Sequence, residues 1–272
     1  MPITPRIIAA LAFAAALCAH AASEDVPFVT TPDNVTLTML RIARVNAQDF
    51  VIDLGSGDGR IVITAAKEFG ARGLGVEIVP DLVKKSRENA AAAGVAPRAE
   101  FREEDLFKTD LSRASVITLY LLPEVNLELR PKLLALKAGT RVVSHDWDMG
   151  DWPADHSVTV DVPDKKIGLE KTSKVHLWIV PARLHGAWCG GGKTRRTTLQ
   201  FDQKYQSVRG TLVRGDARHS FDGRLRGAQV QSVDGDLVMQ AEGDRLKPVV
   251  ARGAFSSYKG VTFSRRTTDS CS

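Results

Sequence analysis

The sequence predicts an α/β fold, a mostly parallel sheet wound with helices, followed by a small antiparallel β domain. Three observations carry the prediction. An apolar, β-favouring run, Val51-Ile52-Asp53-Leu54, ends in the glycine-alternating turn Gly55-Ser56-Gly57-Asp58-Gly59, and a helical pattern follows at once. That order describes a buried parallel strand feeding a ligand-binding loop. Apolar runs and amphipathic stretches then alternate as far as Ser144. From Leu184 onward the pattern changes to short β-like runs divided by glycine turns, as in a small antiparallel sheet or barrel.

The 272 residues have room for one large α/β domain and a small second one. Charge separates the two as the pattern does. Residues 23–182 carry 20 Lys/Arg against 24 Asp/Glu, a net −4, and residues 183–272 carry 16 against 8, a net +8. The chain therefore divides into a leader, 1–22, an α/β domain, 23–182, and a basic β domain, 183–272. In the leader Arg6 precedes the apolar run Ile7 to Leu17, and Ala19-His20-Ala21 fits a small-x-small cleavage site, the pattern of a secretory signal peptide. The run is too short for an ordinary transmembrane helix, and bulky Leu17 argues against a lipid anchor on Cys18. The expected location is exported, periplasmic or secreted; the alternative is an uncleaved N-terminus that anchors the chain to a membrane. Cleavage would leave Cys189 and Cys271 at opposite ends of the β domain, an even pair that suggests a disulfide in an oxidising compartment.

Taken in order, the first helix begins near Asp33, with Val35, Met39, Leu40 and Ile42 as its apolar stripe. Thr31 or Asp33 either caps it or lines a ligand site. The strand at 50–54 leads into the loop and a helix over 59–69. Gly73 to Glu77 is a short buried strand ending in a carboxylate, and Pro80 opens an amphipathic helix closed by Gly94. Strands follow at 99–102, 115–120 and 140–144, with a helix over 124–136. Runs at 157–162 and 175–180 form a closing antiparallel hairpin.

Gly55 and Gly57 let the backbone approach a ligand where a Cβ would block it. A dinucleotide fingerprint would need its third glycine at position 60, where Arg60 stands. Glu77 lies about 20 residues beyond the loop, placed to accept both ribose hydroxyls of a nucleoside. Asp53-x-Gly-x-Gly-x-Gly with Glu77 resembles motif I and its acidic partner in class I S-adenosylmethionine (SAM) methyltransferases. The resemblance implies a seven-stranded Rossmann-like methyltransferase sheet and SAM as cofactor, with no metal. Asp53, Gly55, Ser56, Gly57, Asp58, Gly59 and Glu77 are then its binding residues. Asp105 would accept the adenine amine while Leu106 and Phe107 face the ring; the alternative is a polar turn.

Ligands of open parallel sheets bind outside the carboxyl ends of the strands, where strand order reverses. Tyr120 to Glu124 should therefore sit beside the transferable methyl. The next loop, His145 to Pro153, brings three carboxylates and two indoles to the same edge. Carboxylates with aromatic faces attract a cationic lysine. They also raise its pKa, whereas methyl transfer needs the neutral amine. Tyr120 and Asp146 are the catalytic candidates, Asp146 or water taking the proton. The alternative is a polar surface loop in which Trp147 or Trp152 closes the core.

Thr31-Pro32-Asp33-Asn34-Val35, the 53–62 segment, Leu119-Tyr120-Leu121-Leu122-Pro123 and Gly139 to Ser144 occur together. The set looks like the protein-lysine methyltransferases that include the mitochondrial enzymes acting on the adenine nucleotide carrier and the ATP synthase c subunit. This similarity implies a protein substrate, methylated on a lysine by in-line attack of the neutral amine. The leader and the extra β domain depart from that family. The alternatives are a non-catalytic SAM- or nucleoside-binding scaffold whose β domain binds a partner, and a small-molecule methyltransferase. The +8 domain suits an anionic membrane surface. Nucleic acid is not an expected partner, because basic residues are scattered and no aromatic stacking platform is evident.

Overall fold

The computed structural model describes residues 29–165, 170–191, 197–266 and 271. The expected signal peptide lies outside the described residues. The α/β part runs α1 (Asp33–Ile42), β1 (Phe50–Leu54), α2 (Arg60–Phe69), β2 (Arg72–Glu77), α3 (Pro80–Ala92), β3 (Ala99–Glu103), β4 (Val116–Leu119), α4 (Pro123–Leu134), β5 (Arg141–His145), β6 (His156–Asp161) and β7 (Thr172–Ile179). One seven-stranded sheet has the order β3-β2-β1-β4-β5-β7-β6. Strands β1 to β5 are parallel, and β7 runs antiparallel between β5 and β6.

The continuous apolar run of β1 follows from its central place, since a strand covered on both faces has no solvent side to alternate with. Val51 faces α1 and α2, with Val35, Met39, Leu40, Ile61 and Ala65. Ile52 and Leu54 face α4 with Leu129 and Leu133. The chain moves from β1 outward to β3 and then crosses to β4 on β1's other side. Strand order reverses there, opening a crevice at the carboxyl ends of β1 and β4.

The second part is a closed antiparallel barrel of eight strands: β8 (Gly186–Gly190), β9 (Thr197–Lys204), β10 (Ser207–Arg214), β11 (Ala217–Arg226), β12 (Gln229–Ser232), β13 (Leu237–Glu242), β14 (Arg245–Ala251) and β15 (Phe263–Arg265). Closure removes the exposed edges of so small a sheet. Trp188, Leu199, Phe201, Leu212, Leu225, Met239, Leu246 and Phe263 fill its interior. Sequence patterning reads 223–231 as one run, but a turn at Gly227 (φ 58°) divides it between β11 and β12. It misses β8, which is short and flanked by glycines. It also misses β14, where Pro248 sits opposite Met239 beside a register shift; proline is tolerated in strands at such irregularities. Cys189 on β8 is disulfide-bonded to Cys271, with Cα atoms 5.5 Å apart, tying the end of the chain to the barrel's first strand.

The two parts meet at the two-residue hairpin tip Tyr205-Gln206 between β9 and β10. Tyr205 stacks on Trp152 at 6.2 Å and donates its hydroxyl to Asp151 at 2.8 Å. Gln206 is buried. Its amide oxygen accepts the Trp152 indole N–H at 3.1 Å, and its amide nitrogen donates to Pro153 O at 2.8 Å. Trp152 therefore closes the core, as one sequence reading had it, and does not face substrate. Gln206→Ala would leave the buried indole N–H and the Pro153 carbonyl without partners, a cost of about 1–3 kcal/mol. The expected outcome is a lower urea midpoint with an unchanged slope. An unchanged midpoint would show that the junction contributes nothing to stability.

Candidate active site

The loop after β1 turns through three left-handed glycines, Gly55 (φ 74°), Gly57 (φ 53°) and Gly59 (φ 83°). A Cβ at Gly55 would lie 2.7 Å from Leu121 of the β4–α4 loop, so the two loops that border the crevice touch there. The Gly55 and Ser56 N–H groups donate to Val76 O at 2.8 and 2.9 Å, seating the loop on β2. The Glu77 carboxylate accepts N–H bonds from Gly57 (3.0 Å), Ile78 (2.8 Å) and Val79 (3.0 Å). Glu77 thus links the glycine loop to the end of β2. Asp58 turns away to pair with Arg60 at 2.6 Å, and Arg60 also donates to Thr31 O at 2.9 Å.

Asp53 is buried on β1, and the Thr118 hydroxyl of β4 donates to it at 2.6 Å. Burial, helped by Glu77 and Asp58, pushes its carboxyl up to about 7 although Thr118 opposes the shift. Asp105 accepts the Phe107 N–H at 2.9 Å and pairs with Lys108 at 3.2 Å. Ile78 and Phe107 leave apolar surface exposed at the ends of neighbouring strands, while Leu106 packs against the core. The donor set fits SAM. Its three carboxylates, Asp53, Glu77 and Asp105, suit a cationic nucleoside, and the nearby guanidinium of Arg60 is neutralised by Asp58.

At the ends of β4 and β5 the structure brings together Tyr120, His145, Thr31 and Asp146. Tyr120 is half-buried and stacks on His145 at 3.9 Å. His145 ends β5 and is not a loop residue. Its Nδ1 lies 3.2 Å from Thr31 Oγ1 and its Nε2 lies 2.9 Å from Ser173 Oγ. Thr31 therefore turns its side chain to His145 and does not cap α1, whose N-terminus has no side-chain cap. Burial pushes the His145 imidazole down to about 4, so the ring is neutral at physiological pH. Burial alone would raise the Asp146 carboxyl, but Lys165 at 2.8 Å, His145 and the Lys174 N–H outweigh it and hold it below the usual carboxylate range. Asp146 has a left-handed backbone (φ 61°). Trp147 and Asp148, which follow it, are exposed, as are Leu122 of the β4–α4 loop and Glu124 in the first turn of α4. Asp151 is drawn off by Arg130, Lys204 and Tyr205.

Sequence reasoning missed His145, Lys165 and Ser173. The contacts they make join β5 to the β6–β7 hairpin, and nothing in local pattern reports them. The one available signal was the histidine at the end of an otherwise apolar strand.

Comparison with known proteins bears on this geometry. A family model described as the ANTKMT methyltransferase domain matches residues 53–156. A protein-lysine N-methyltransferase from Saccharolobus islandicus is 44% identical over 138 residues, covering 50% of this chain and 86% of the relative. The chain belongs to this methyltransferase family. A mouse lysine N-methyltransferase named for the ATP synthase c subunit is 37% identical over 48% of this chain and 53% of its own length, so the chain spans about half of that relative. A solved RNA methyltransferase from Salinibacter ruber, in complex with S-adenosylhomocysteine, is 52% identical with a TM-score of 0.52, covering 57% of this chain and 96% of that one. The protein is a SAM-dependent methyltransferase, and the barrel is an addition to the shared domain.

The position of Asp53 predicts a pH-linked affinity. A carboxyl that titrates at about 7 in the free protein is expected to ionise beside a cation, so binding releases a proton. SAM affinity should therefore rise as pH climbs toward 7 and level off above it. Titration calorimetry in buffers of different ionisation heat would measure the released proton, and Asp53→Asn should abolish the effect. Affinity independent of pH in the wild type would show that Asp53 does not face the cofactor's charge.

Proposed function

We propose that the protein methylates the ε-amine of lysine in a protein substrate, and does so outside the cytosol. The mouth of the site carries the substrate reading. Trp147 and Asp148 after β5, and Leu122 and Glu124 at the start of α4, are all exposed, and Asn126 of α4 joins the two segments by donating to Trp147 O at 3.4 Å and Asp148 O at 3.3 Å. Such a surface attracts an ammonium and repels a phosphate backbone. This favours protein over RNA, although relatives with both kinds of name exist. The same reading assigns Glu77 to the ribose, Asp53 to the cationic end, and Asp105 with Leu106 to the base, and the Gly57–Glu77 bond, which ties the glycine loop to the end of β2, supports the first of these.

SAM, when bound, supplies an electrophilic methyl group. The chain's own residues orient the acceptor. Burial, aided by Asp146, raises the Tyr120 hydroxyl, so it stays a neutral phenol that can accept an amine hydrogen. Asp146 is a poor proton acceptor, because its pair with Lys165 holds the carboxyl ionised and low. Its role is to fix the loop, and the lysine proton leaves to water. The Cys189–Cys271 disulfide supports an oxidising compartment, in keeping with the leader. The net +8 of residues 183–272 supports association with an anionic membrane surface.

The test is incubation with radiolabelled methyl-SAM and envelope proteins, the modified residue being located by mass spectrometry. Label on lysine is expected, and Tyr120→Phe should lower kcat about 10- to 100-fold if the phenol oxygen orients the amine. SAM affinity should remain unchanged in that variant. Label on RNA or on small molecules with none on lysine would overturn the substrate reading.

A further inference from the structure

A second concavity of about 540 Å³ lies away from the cofactor loop. Arg41 and Arg44 at the end of α1, Asp155, His156 and Leu177 of the sheet, and Arg226 of barrel strand β11 are among the residues that line it. Arg141 fixes its location. That residue starts β5, and its guanidinium donates to the carbonyls of Ala43 at 2.7 Å and Arg44 at 3.3 Å. The end of α1 therefore sits at the amino ends of the parallel strands, across the sheet from the glycine loop.

The charges there are unbalanced. Among the described residues, Arg41, Arg44 and Arg226 have no ion-pair or side-chain hydrogen-bond partner. The one carboxylate in the lining, Asp155, is fully engaged. It meets Arg224 at 3.1 Å, accepts the Ile179 N–H at 2.8 Å and accepts from Gln206 at 3.2 Å. Basic residues near a helix C-terminus often only answer its dipole. Here Arg141 already occupies the terminal carbonyls, and Arg226 arrives from the other part of the molecule. Neither fact follows from dipole compensation.

We propose that this cleft binds a phosphate-bearing anion through Arg41, Arg44 and Arg226. Guanidinium forks match phosphate oxygens in pairs, and three of them around one concavity supply the charge for a di-anionic group. The phosphate can belong to a free metabolite or to a lipid headgroup. Because the arginines come from both parts of the chain, an occupant would fasten the barrel to the sheet without entering the methyl-transfer site.

The test compares the full chain with R41Q/R44Q/R226Q. Pyrophosphate is titrated by calorimetry, and vesicles of phosphatidylglycerol or phosphatidylcholine are used for co-sedimentation. Wild type is expected to bind pyrophosphate, which assigns a free phosphate ligand, or to sediment only with phosphatidylglycerol, which assigns a headgroup. In either case the triple variant should lose about tenfold or more of that binding while SAM affinity is unchanged. Should the triple variant fail to fold, Arg226→Gln alone, at an exposed barrel position, carries the comparison. Failure of both probes with wild type would overturn the proposal. So would full binding by the variant, since the barrel's overall charge would then account for it.

Discussion

A buried carboxylate near the carboxyl end of an inner strand, β1, governs the design of this protein. Asp53 is held in the core with, among the described residues, a single side-chain hydrogen bond, from Thr118, where an ionised acid is costly without a countercharge. That bond ties β1 to β4 at the point where strand order reverses. The glycine loop, Glu77 and the β4–α4 loop all gather around the same crevice. A cationic cofactor is the natural complement to such a site, and the surrounding contacts hold the backbone ready for it. Glu77 fixes three of the N–H groups in this region, those of Gly57, Ile78 and Val79.

Carboxylates near an acceptor lysine pose a conflict, since they attract the ammonium and also keep it protonated. The structure separates the two effects by depth. The partly buried acid, Asp146, is neutralised by Lys165, with neutral His145 beside it. Asp148 and Glu124, which have no ion-pair partner among the described residues, lie exposed, where water screens them. In the proposed reaction this arrangement keeps long-range attraction and removes the strong local field that would hold the proton.

The barrel is joined to this machinery through several specific contacts, the Arg224–Asp155 pair among them. Tyr205 packs with the sheet's core while Ala138 packs with the barrel's. The Trp152–Gln206 bond satisfies two groups that could not be buried apart. Its disulfide fastens the chain's end to β8, as expected of a small domain with a limited core.

Much was legible in the sequence because it is local. The α/β order, the strand at 50–54, the loop, the acid at the end of the next strand and the antiparallel closing pair are written in apolar period and glycine spacing. These reflect burial on one or both faces and backbone conformations that few residues adopt. The basic β domain and its cysteine pair could be read in the same way. Tertiary structure alone decided what each polar group does. Thr31 abandons the helix cap for His145, Trp152 closes the core while Trp147 faces solvent, and Asp146 is bound to a lysine 19 residues away. Barrel closure, the Gln206 junction and the arginine cleft likewise depend on which distant segments meet. A residue's type sets which bonds it can form, but burial and partner geometry determine which of them it makes.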